Sequence, residues 1–405
     1  MRVLMVIPDL TLGGAAADFL RLARYLADHL PVTVAVMADN PAMRPEGCGY
    51  RVLGEGMAAG PGVLAKARRW AAMRARLREL KGEHQVAISF LTGANLLNAL
   101  AGYPERTVLS ERGSKRHEAG LGAVDRFLMT RVYDPYAYRR AARVVAASRG
   151  VALEIGRAHP WLGERLLAIE GSVDADSLLA ARDAPVEAEF EELREGETIV
   201  TYGRLHPAKG FDFLLQVVAA LRASRPRVRL LLIGEGEERA ALTARARRLG
   251  LSVGEPGSDA VVVLAGHRPM PHRYARLGRV LAFPSRQEGL PNAVIEAVAS
   301  GVPVVAADCP WGPRTVLSEG TLDELAALEL PKALPHGILM PRIDAPHALE
   351  RWCATLGDLL SHPPARRSAA ECHPAIARYD IRHTGPQWLA LIEEVARQAR
   401  GRHGR

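Results

Sequence analysis

The residues best placed to do chemistry lie in the stretch FPSRQEGLPNAVIEAVASGVPVVAAD, residues 283–308. Two carboxylates, Glu288 and Glu296, stand between two strand-like runs. Pro291 can open a helix, where its missing N–H costs nothing. The helix predicted over 292–300 stops at Gly301-Val302-Pro303. Glu288 then belongs to the loop before the helix and Glu296 lies about one turn inside it. A helix N-terminus binds anions through free N–H groups and its dipole, and flanking carboxylates accept hydrogen bonds from the hydroxyls of a sugar or a ribose. Standing alone, the segment would also fit an ordinary amphipathic helix with two solvated glutamates.

A second cluster precedes it. In GRLHPAKGFDFLL, Arg204 and Lys209 share a Pro/Gly-containing loop directly after a strand and before a helix. Two cations over one strand end can neutralise a diphosphate leaving group as its charge develops. A solvated loop is the plainer alternative, weakened by the Glu288 segment that follows in the same chain. Gly234 and Gly236 in IGEGEER, and Gly13 and Gly14 near the start, would let the backbone approach a ligand closely, although sharp turns need glycine anyway. Asp174-Ala-Asp176 matches a string that elsewhere binds a metal diphosphate. With an arginine and a lysine already supplying positive charge, no metal or other cofactor is expected.

The elements that must position these groups alternate strand and helix throughout, which predicts parallel sheets. Candidate strands fall at 3–7, 32–37, 51–53, 86–90, 107–109, 144–147 and 166–169, then at 198–202, 229–233, 261–264, 280–283, 303–306 and 337–340. Helical patterns separate them, among them 18–29, 211–224, 239–249, 293–300 and 348–360. The acidic stretch DAPVEAEFEELREG interrupts the series and reads as a linker. The expected fold class is α/β, with two Rossmann-like domains facing each other across a cleft. The expected parts are an acceptor domain over 1–183, a linker over 184–196, a donor domain over 197–384, and a C-terminal helix over 385–405 packing back toward the first domain. Residues 252–259 read as a loop insertion and 320–335 as a variable excursion.

At 405 residues the chain suits two such domains. Its four cysteines have no CxxC spacing, so neither a disulfide framework nor a zinc site is indicated. MRVLMVIPDL enters a strand at once and lacks the features of a signal peptide, and no run approaches a membrane span. A cytoplasmic protein is expected. The net charge of +8 is uneven: residues 1–183 hold 25 Lys/Arg against 19 Asp/Glu. Val63, Ala67, Trp70, Met73, Leu77 and Leu80 recur at helical spacing among Lys66, Arg68, Arg69, Arg76, Arg78 and Lys81. That pattern predicts either peripheral contact with the anionic inner face of the cytoplasmic membrane or a helix packed on the first sheet. Nucleic acid is not expected as a partner.

Taken together, GGAAADFLRLARYL, YGRLHPAKGFDFLLQVVAAL, LLIGEGEERAALTARARRLGL, VVLAGH and the 283–308 segment with its tail CPWGPRTVL make the chain resemble glycosyltransferase family 4, retaining enzymes of the GT-B fold. The resemblance extends over nearly the whole length and is closest to polysaccharide- and lipid-linked-glycan-building members. It implies a nucleotide-diphosphate sugar, expected to be UDP-linked, as donor, and a glycan or lipid-linked acceptor. By the same resemblance Arg204 and Lys209 bind the donor diphosphate, Glu288 meets the transferred hexose or N-acetylhexosamine, and Glu296 the ribose. The backbone at Gly289 and Leu290 would hold the distal phosphate, and His267 and Arg268 would contact the base. Asn95, Glu111 and Arg112 become candidate acceptor contacts, with structural caps and ion pairs as the alternative. Two departures stand out: Gly171-Ser172 replaces the usual Asn-Pro, and no clear equivalent exists for a histidine that many members carry in the first domain. A nucleotide-sugar epimerase or hydrolase, a phosphorylase, or a non-catalytic sugar-nucleotide-binding protein of the same fold remains open at this stage.

Overall fold

The run Val3–Ile7 is apolar at every position because it is buried on both faces. Val3, Met5 and Ile7 point to one side, where they meet Phe19, Leu22 and Leu26. Leu4 and Val6 point to the other, where they meet Met73, Leu77, Ala94 and Leu97. The computed structural model that shows this describes residues 1–11, 13–40, 43–57, 62–116, 122–321 and 327–403. They divide into two units.

The first unit takes the described residues of Met1–Arg116, Leu121–Val173 and Ile381–Arg405. Among the described residues its sheet has seven strands: β1 (Val3–Ile7), β2 (Val32–Val36), β3 (Gly49–Val52), β4 (Val86–Phe90), β5 (Thr107–Glu111), β6 (Arg143–Ala146) and β7 (Leu166–Ala168). They run in the order β3-β2-β1-β4-β5-β6-β7, and all neighbours are parallel. The C-terminal helix Ile381–His403 belongs here: Trp388, Leu391, Ile392 and Val395 join the core that contains β1, and the Trp388 ring stacks on Phe90 at 6.0 Å.

The second unit takes the described residues of Asp174–Asp380. Its strands are β8 (Glu197–Tyr202), β9 (Val228–Ile233), β10 (Val253–Gly254), β11 (Val262–Leu264), β12 (Val280–Phe283), β13 (Val304–Ala307), β14 (Lys332–Leu334) and β15 (Gly337–Met340). Their order is β10-β11-β9-β8-β12-β13-β15-β14, with only β14 antiparallel among the described strands. The helices Phe211–Arg222 and Ala348–Ser361 cover one face, where Phe213 meets Trp352 edge-on at 5.7 Å. Chain direction across the sheet reverses between β1 and β4 in the first unit and between β8 and β12 in the second. Ligands of open α/β sheets bind at the C-terminal strand ends beside such a reversal.

The boundary expected at 183 lies ten residues too late, and the expected linker is not one. The second unit begins at Asp174, and Ala188–Arg194 forms a 3-10 turn inside it. Phe190 is fully buried there and packs on Tyr274 with ring centroids 4.9 Å apart. Acidic surface residues had masked two buried anchors, Phe190 and Leu193.

The helix Val63–Glu83 is likewise not a free amphipathic surface. Met73 and Leu77 are buried in the core of the first unit, and Trp70 and Leu80 pack against it. Lys81 is enclosed and donates to the carbonyls of Asn98 and Gly102 and to Thr107 Oγ1. The second half of the apolar stripe thus packs on the sheet, while Val63 and Leu64 at the start of the helix are 83% and 77% exposed.

Candidate functional site

β8 and β12 are neighbours in the second unit, so the loops after Tyr202 and Phe283 leave the sheet side by side. The first loop carries Arg204 and Lys209 and the second carries Glu288. Lys209 Nζ donates to Glu288 Oε1 at 2.7 Å, and Ser285 Oγ donates to the same oxygen at 2.7 Å. The Glu288 side chain is 9% exposed and that of Lys209 is 23%. This is a nearly enclosed ion pair with one open side.

Several local features force the two loops together. Arg286 N–H donates to the Ala208 carbonyl at 2.8 Å, and its guanidinium grips Asp212 through two bonds of 2.7 and 2.9 Å. Gly210 sits at φ +67°, and a Cβ there would lie 2.0 Å from the Pro284 carbonyl oxygen, so only glycine allows the approach. The backbone of Glu288 is held from both sides: its N–H donates to the Pro310 carbonyl at 3.0 Å and its carbonyl accepts from Trp311 N–H at 2.8 Å. Farther along, the buried Arg314 guanidinium binds Asp308 at 2.8 and 2.5 Å, which anchors the segment after β13.

The helix Asn292–Ser300 starts beside this pair and ends at Gly301 in the left-handed region, φ 74°. Glu296 lies one turn inside it. The Tyr202 hydroxyl at the end of β8 donates to the Ala293 carbonyl at 2.9 Å. Burial, and next the charge of Glu296, hold that hydroxyl well above its ordinary pKa, which places Glu296 within electrostatic reach of the β8 strand end. The Cys309 thiol is pushed up by burial first and by the Glu288 charge second. It is held neutral beside the site.

Arg204 is not part of the Lys209–Glu288 pair. Its guanidinium binds Glu237 at 3.2 Å, with the two side chains 57% and 49% exposed. Exposed pairs of this kind are worth about 0–1 kcal/mol, so a stronger anion can displace the glutamate at little cost. Gly234 and Gly236 have a steric duty inside the chain: a Cβ would fall 1.9 Å from the Gly203 carbonyl oxygen and 2.4 Å from that of Leu205. They let the arginine-bearing loop lie against the end of β9. Gly289 and Leu290 are half-buried at the start of the helix, where a Cβ on Gly312 would crowd their backbone at 3.2 Å. His267 is exposed in the loop after β11. Arg268 is occupied, donating to Glu189 Oε1 at 3.3 Å and lying 5.4 Å over the Phe190 ring.

In the first unit, Gly13 caps the helix Gly14–Ala27 after β1, and a Cβ there would meet nothing within 4 Å. The three candidate acceptor contacts are internal. Asn95 accepts from Ser89 Oγ at 2.8 Å and donates to the Ser110 carbonyl at 3.0 Å and to Glu111 Oε1 at 3.1 Å. Glu111 binds Lys115 at 2.9 Å. Arg112 pairs with Asp18 and lies 5.1 Å over the Phe90 ring. All three side chains thus have partners within the first unit. Asp174 caps the helix Ala175–Ala181, accepting from Ser177 N–H at 3.0 Å. Among the described residues no group of three or more His, Cys, Asp or Glu is placed to hold a metal, and no helix is long and apolar enough to cross a membrane.

Ser285, Arg286 and Asp212 were missed in the sequence. Ser285 and Arg286 carried a usable signal, since they directly follow the strand that delivers Glu288. Asp212 carried none, because its role depends on a partner 74 residues away.

Residues 196–351 match the family model described as glycosyl transferases group 1. Over 145 residues the chain is 29% identical to an uncharacterized glycosyltransferase of Methanocaldococcus jannaschii, covering 36% of this chain and 34% of that protein. It is 31% identical over 211 residues to a D-inositol 3-phosphate glycosyltransferase of Jonesia denitrificans, covering 50% and 44% respectively. The chain thus spans between a third and a half of the length of these relatives. Among solved structures, HepE of Anabaena, bound to UDP and glucose, superposes with a TM-score of 0.71 at 18% identity over 97% of this chain and all of that one. A sucrose-phosphate synthase of Thermosynechococcus elongatus does so with a TM-score of 0.71 at 15% identity, covering 97% and 98%. The second unit therefore carries the sequence pattern of the group 1 glycosyl transferases, within a chain that has the GT-B fold.

Proposed function

We propose that the protein is a retaining hexosyltransferase of the family 4 type. It takes a hexose or N-acetylhexosamine from a nucleotide-diphosphate sugar, UDP-linked, and passes it to a glycan or lipid-linked acceptor. The observation that carries this reading is the Lys209–Glu288 pair at the β8/β12 reversal, beside the start of the Asn292–Ser300 helix. Similarity to a fold neighbour solved with UDP and glucose supports the choice of donor.

Without ligand the ammonium and carboxylate neutralise each other. A nucleotide sugar offers each a better partner: the diphosphate for Lys209 and the sugar hydroxyls for Glu288. Arg204 exchanges Glu237 for the diphosphate, and Glu296 accepts from the ribose. Lys209, Arg204 and the helix N-terminus stabilise negative charge as the diphosphate departs. A departing phosphate oxygen can take the acceptor proton on the same face of the sugar, so retention needs no protein nucleophile. No metal is required, because the cations of the chain do that work.

A thermal-shift panel of nucleotide sugars, followed by nucleotide release with the best binder, tests this. Ligand at 100 times its Kd adds about 2.7 kcal/mol, so a UDP-sugar should raise Tm clearly in the native chain and weakly in Lys209→Ala. Finding no stabilising nucleotide sugar, or equal stabilisation of Lys209→Ala, would remove the assignment.

A further inference from the structure

Both cations of the loop after β8 face a carboxylate: Lys209 faces Glu288 and Arg204 faces Glu237. In the reading above, Glu288 has a second task on the transferred sugar. Glu237 has none, yet its place is fixed by the backbone. Leu205 N–H donates to the Glu235 carbonyl at 2.9 Å, and Glu238 N–H donates to the Leu205 carbonyl at 3.1 Å. These bonds bracket Glu237 and bring it to Arg204 Nη2, which donates to its two carboxylate oxygens at 3.3 and 3.2 Å.

The neighbouring charges are engaged elsewhere or support the contact. Glu235 pairs with Arg239 at 2.8 Å, and Glu238 lines a separate groove with Pro207, Asp212 and Arg245. His206 Nδ1 accepts from Ala208 N–H at 3.1 Å, so Nε2 carries the ring proton, 3.7 Å from Glu237 Oε1. The backbone N–H of Glu237, and behind it Arg204, hold the carboxyl below its ordinary pKa against desolvation. It is therefore ionised at neutral pH, and at 49% exposure it is open to an incoming anion.

We infer that Glu237 makes the site discriminate against the nucleoside diphosphate product, competing with it for Arg204 and speeding its release. The inference rests on the transfer reaction proposed above. As the bond between the sugar and the terminal phosphate breaks, that phosphate takes the acceptor proton. With a second pKa of about 6, it then passes the proton to water. The nucleotide sugar carries about two negative charges and the product about three, so one fixed carboxylate repels the product more.

The test is calorimetric binding at about pH 8, with UDP-glucose and UDP as probes. Where another nucleotide sugar gives the largest thermal shift, that sugar and its nucleoside diphosphate replace them. Glu237→Gln keeps the shape of the side chain and removes its charge. At about twofold per phosphate charge, the scale of a screened and exposed contact, it should tighten the nucleotide sugar about fourfold and the diphosphate about eightfold. Stopped-flow displacement should show the diphosphate gain as slower dissociation. Glu255→Gln removes the same charge beside Arg239, 3.9 Å away, and should change both affinities by less than about twofold. Thermal melts should place both variants within about 2–4 °C of the native chain. Unchanged or weaker diphosphate binding in Glu237→Gln, an equal gain for both probes, or the same gain in Glu255→Gln would each overturn the inference and leave the donor reading standing. A native chain that binds no nucleotide sugar would remove the donor reading and this inference with it.

Discussion

Replacing Lys209 with methionine keeps most of the side-chain volume and removes the charge that faces Glu288. At 2.7 Å and an effective dielectric near 20, the gross attraction is about 6 kcal/mol. Desolvation cancels much of that, and breaking a fully buried pair costs about 3–5 kcal/mol. The 23% exposure of Lys209 and the surviving bond from Ser285 bring the expected loss to about 2 kcal/mol, or about 4–8 °C for a unit of this size. Glu288→Gln should cost less, about 1 kcal/mol, because the freed ammonium can turn to water. The double variant leaves no unpaired charge, so its stability should exceed the sum of the single losses by about 1–2 kcal/mol. Turnover should behave differently: all three variants should fall by about 10²-fold or more, with no recovery in the double. Thermal melts and a nucleotide-release assay on the four proteins complete the cycle. Recovery of turnover together with stability in the double variant would refute the reasoning, since it would make the pair a structural clasp only.

Arg204→Ala should lower Tm by no more than about 2–4 °C, since it breaks only an exposed pair, yet lower turnover by about 10²-fold; a thermal melt and a release assay on the folded variant check the two. His272 is buried, and burial lowers its pKa from 6.5 to about 4. The unfolded chain therefore takes up a proton at a pH where the fold does not. Stability is full above pH 6.5 and falls by about 3 kcal/mol as pH drops toward 4, so His272→Leu should flatten the melting curve in that window and leave it unchanged at pH 8. Trp388→Ala should cost about 3–5 kcal/mol in the first unit, read as an earlier melting transition, while the transition that responds to nucleotide sugar stays in place.

Much of the architecture was legible because both sheets are parallel and doubly covered. Val3–Ile7 is apolar without a break and Val86–Phe90 is interrupted only by Ser89, and the loops after them declare themselves by glycine and proline. The misses have physical causes. Val253–Gly254 and Lys332–Leu334 are edge strands of two and three residues with little apolar pattern, formed because a neighbouring backbone offers hydrogen bonds. The stretch at 184–196 looked like a linker because its acids face water while Phe190 anchors it out of sight. In the candidate site, Lys209 and Glu288 were readable from residue type directly after a strand. The grip of Arg286 on Asp212 was not, since pairing across 74 residues leaves no local trace. Asn95, Glu111 and Arg112 lie at or beyond the ends of β4 and β5, but Asn95 and Glu111 bond each other and Arg112 pairs with Asp18.

The Ile381–His403 helix completes the core of the first unit after the whole second unit has been made. A ribosome that has delivered residues 1–173 has released a sheet whose Phe90 and Leu22 side still lacks Trp388, Ile392 and Val395. The second unit, begun later, has all of its described strands once residue 340 has emerged and the helix bearing Trp352 and Leu356 by residue 361. The first unit therefore keeps one apolar face open until residues 388–396 have been made, after every described strand of the second unit.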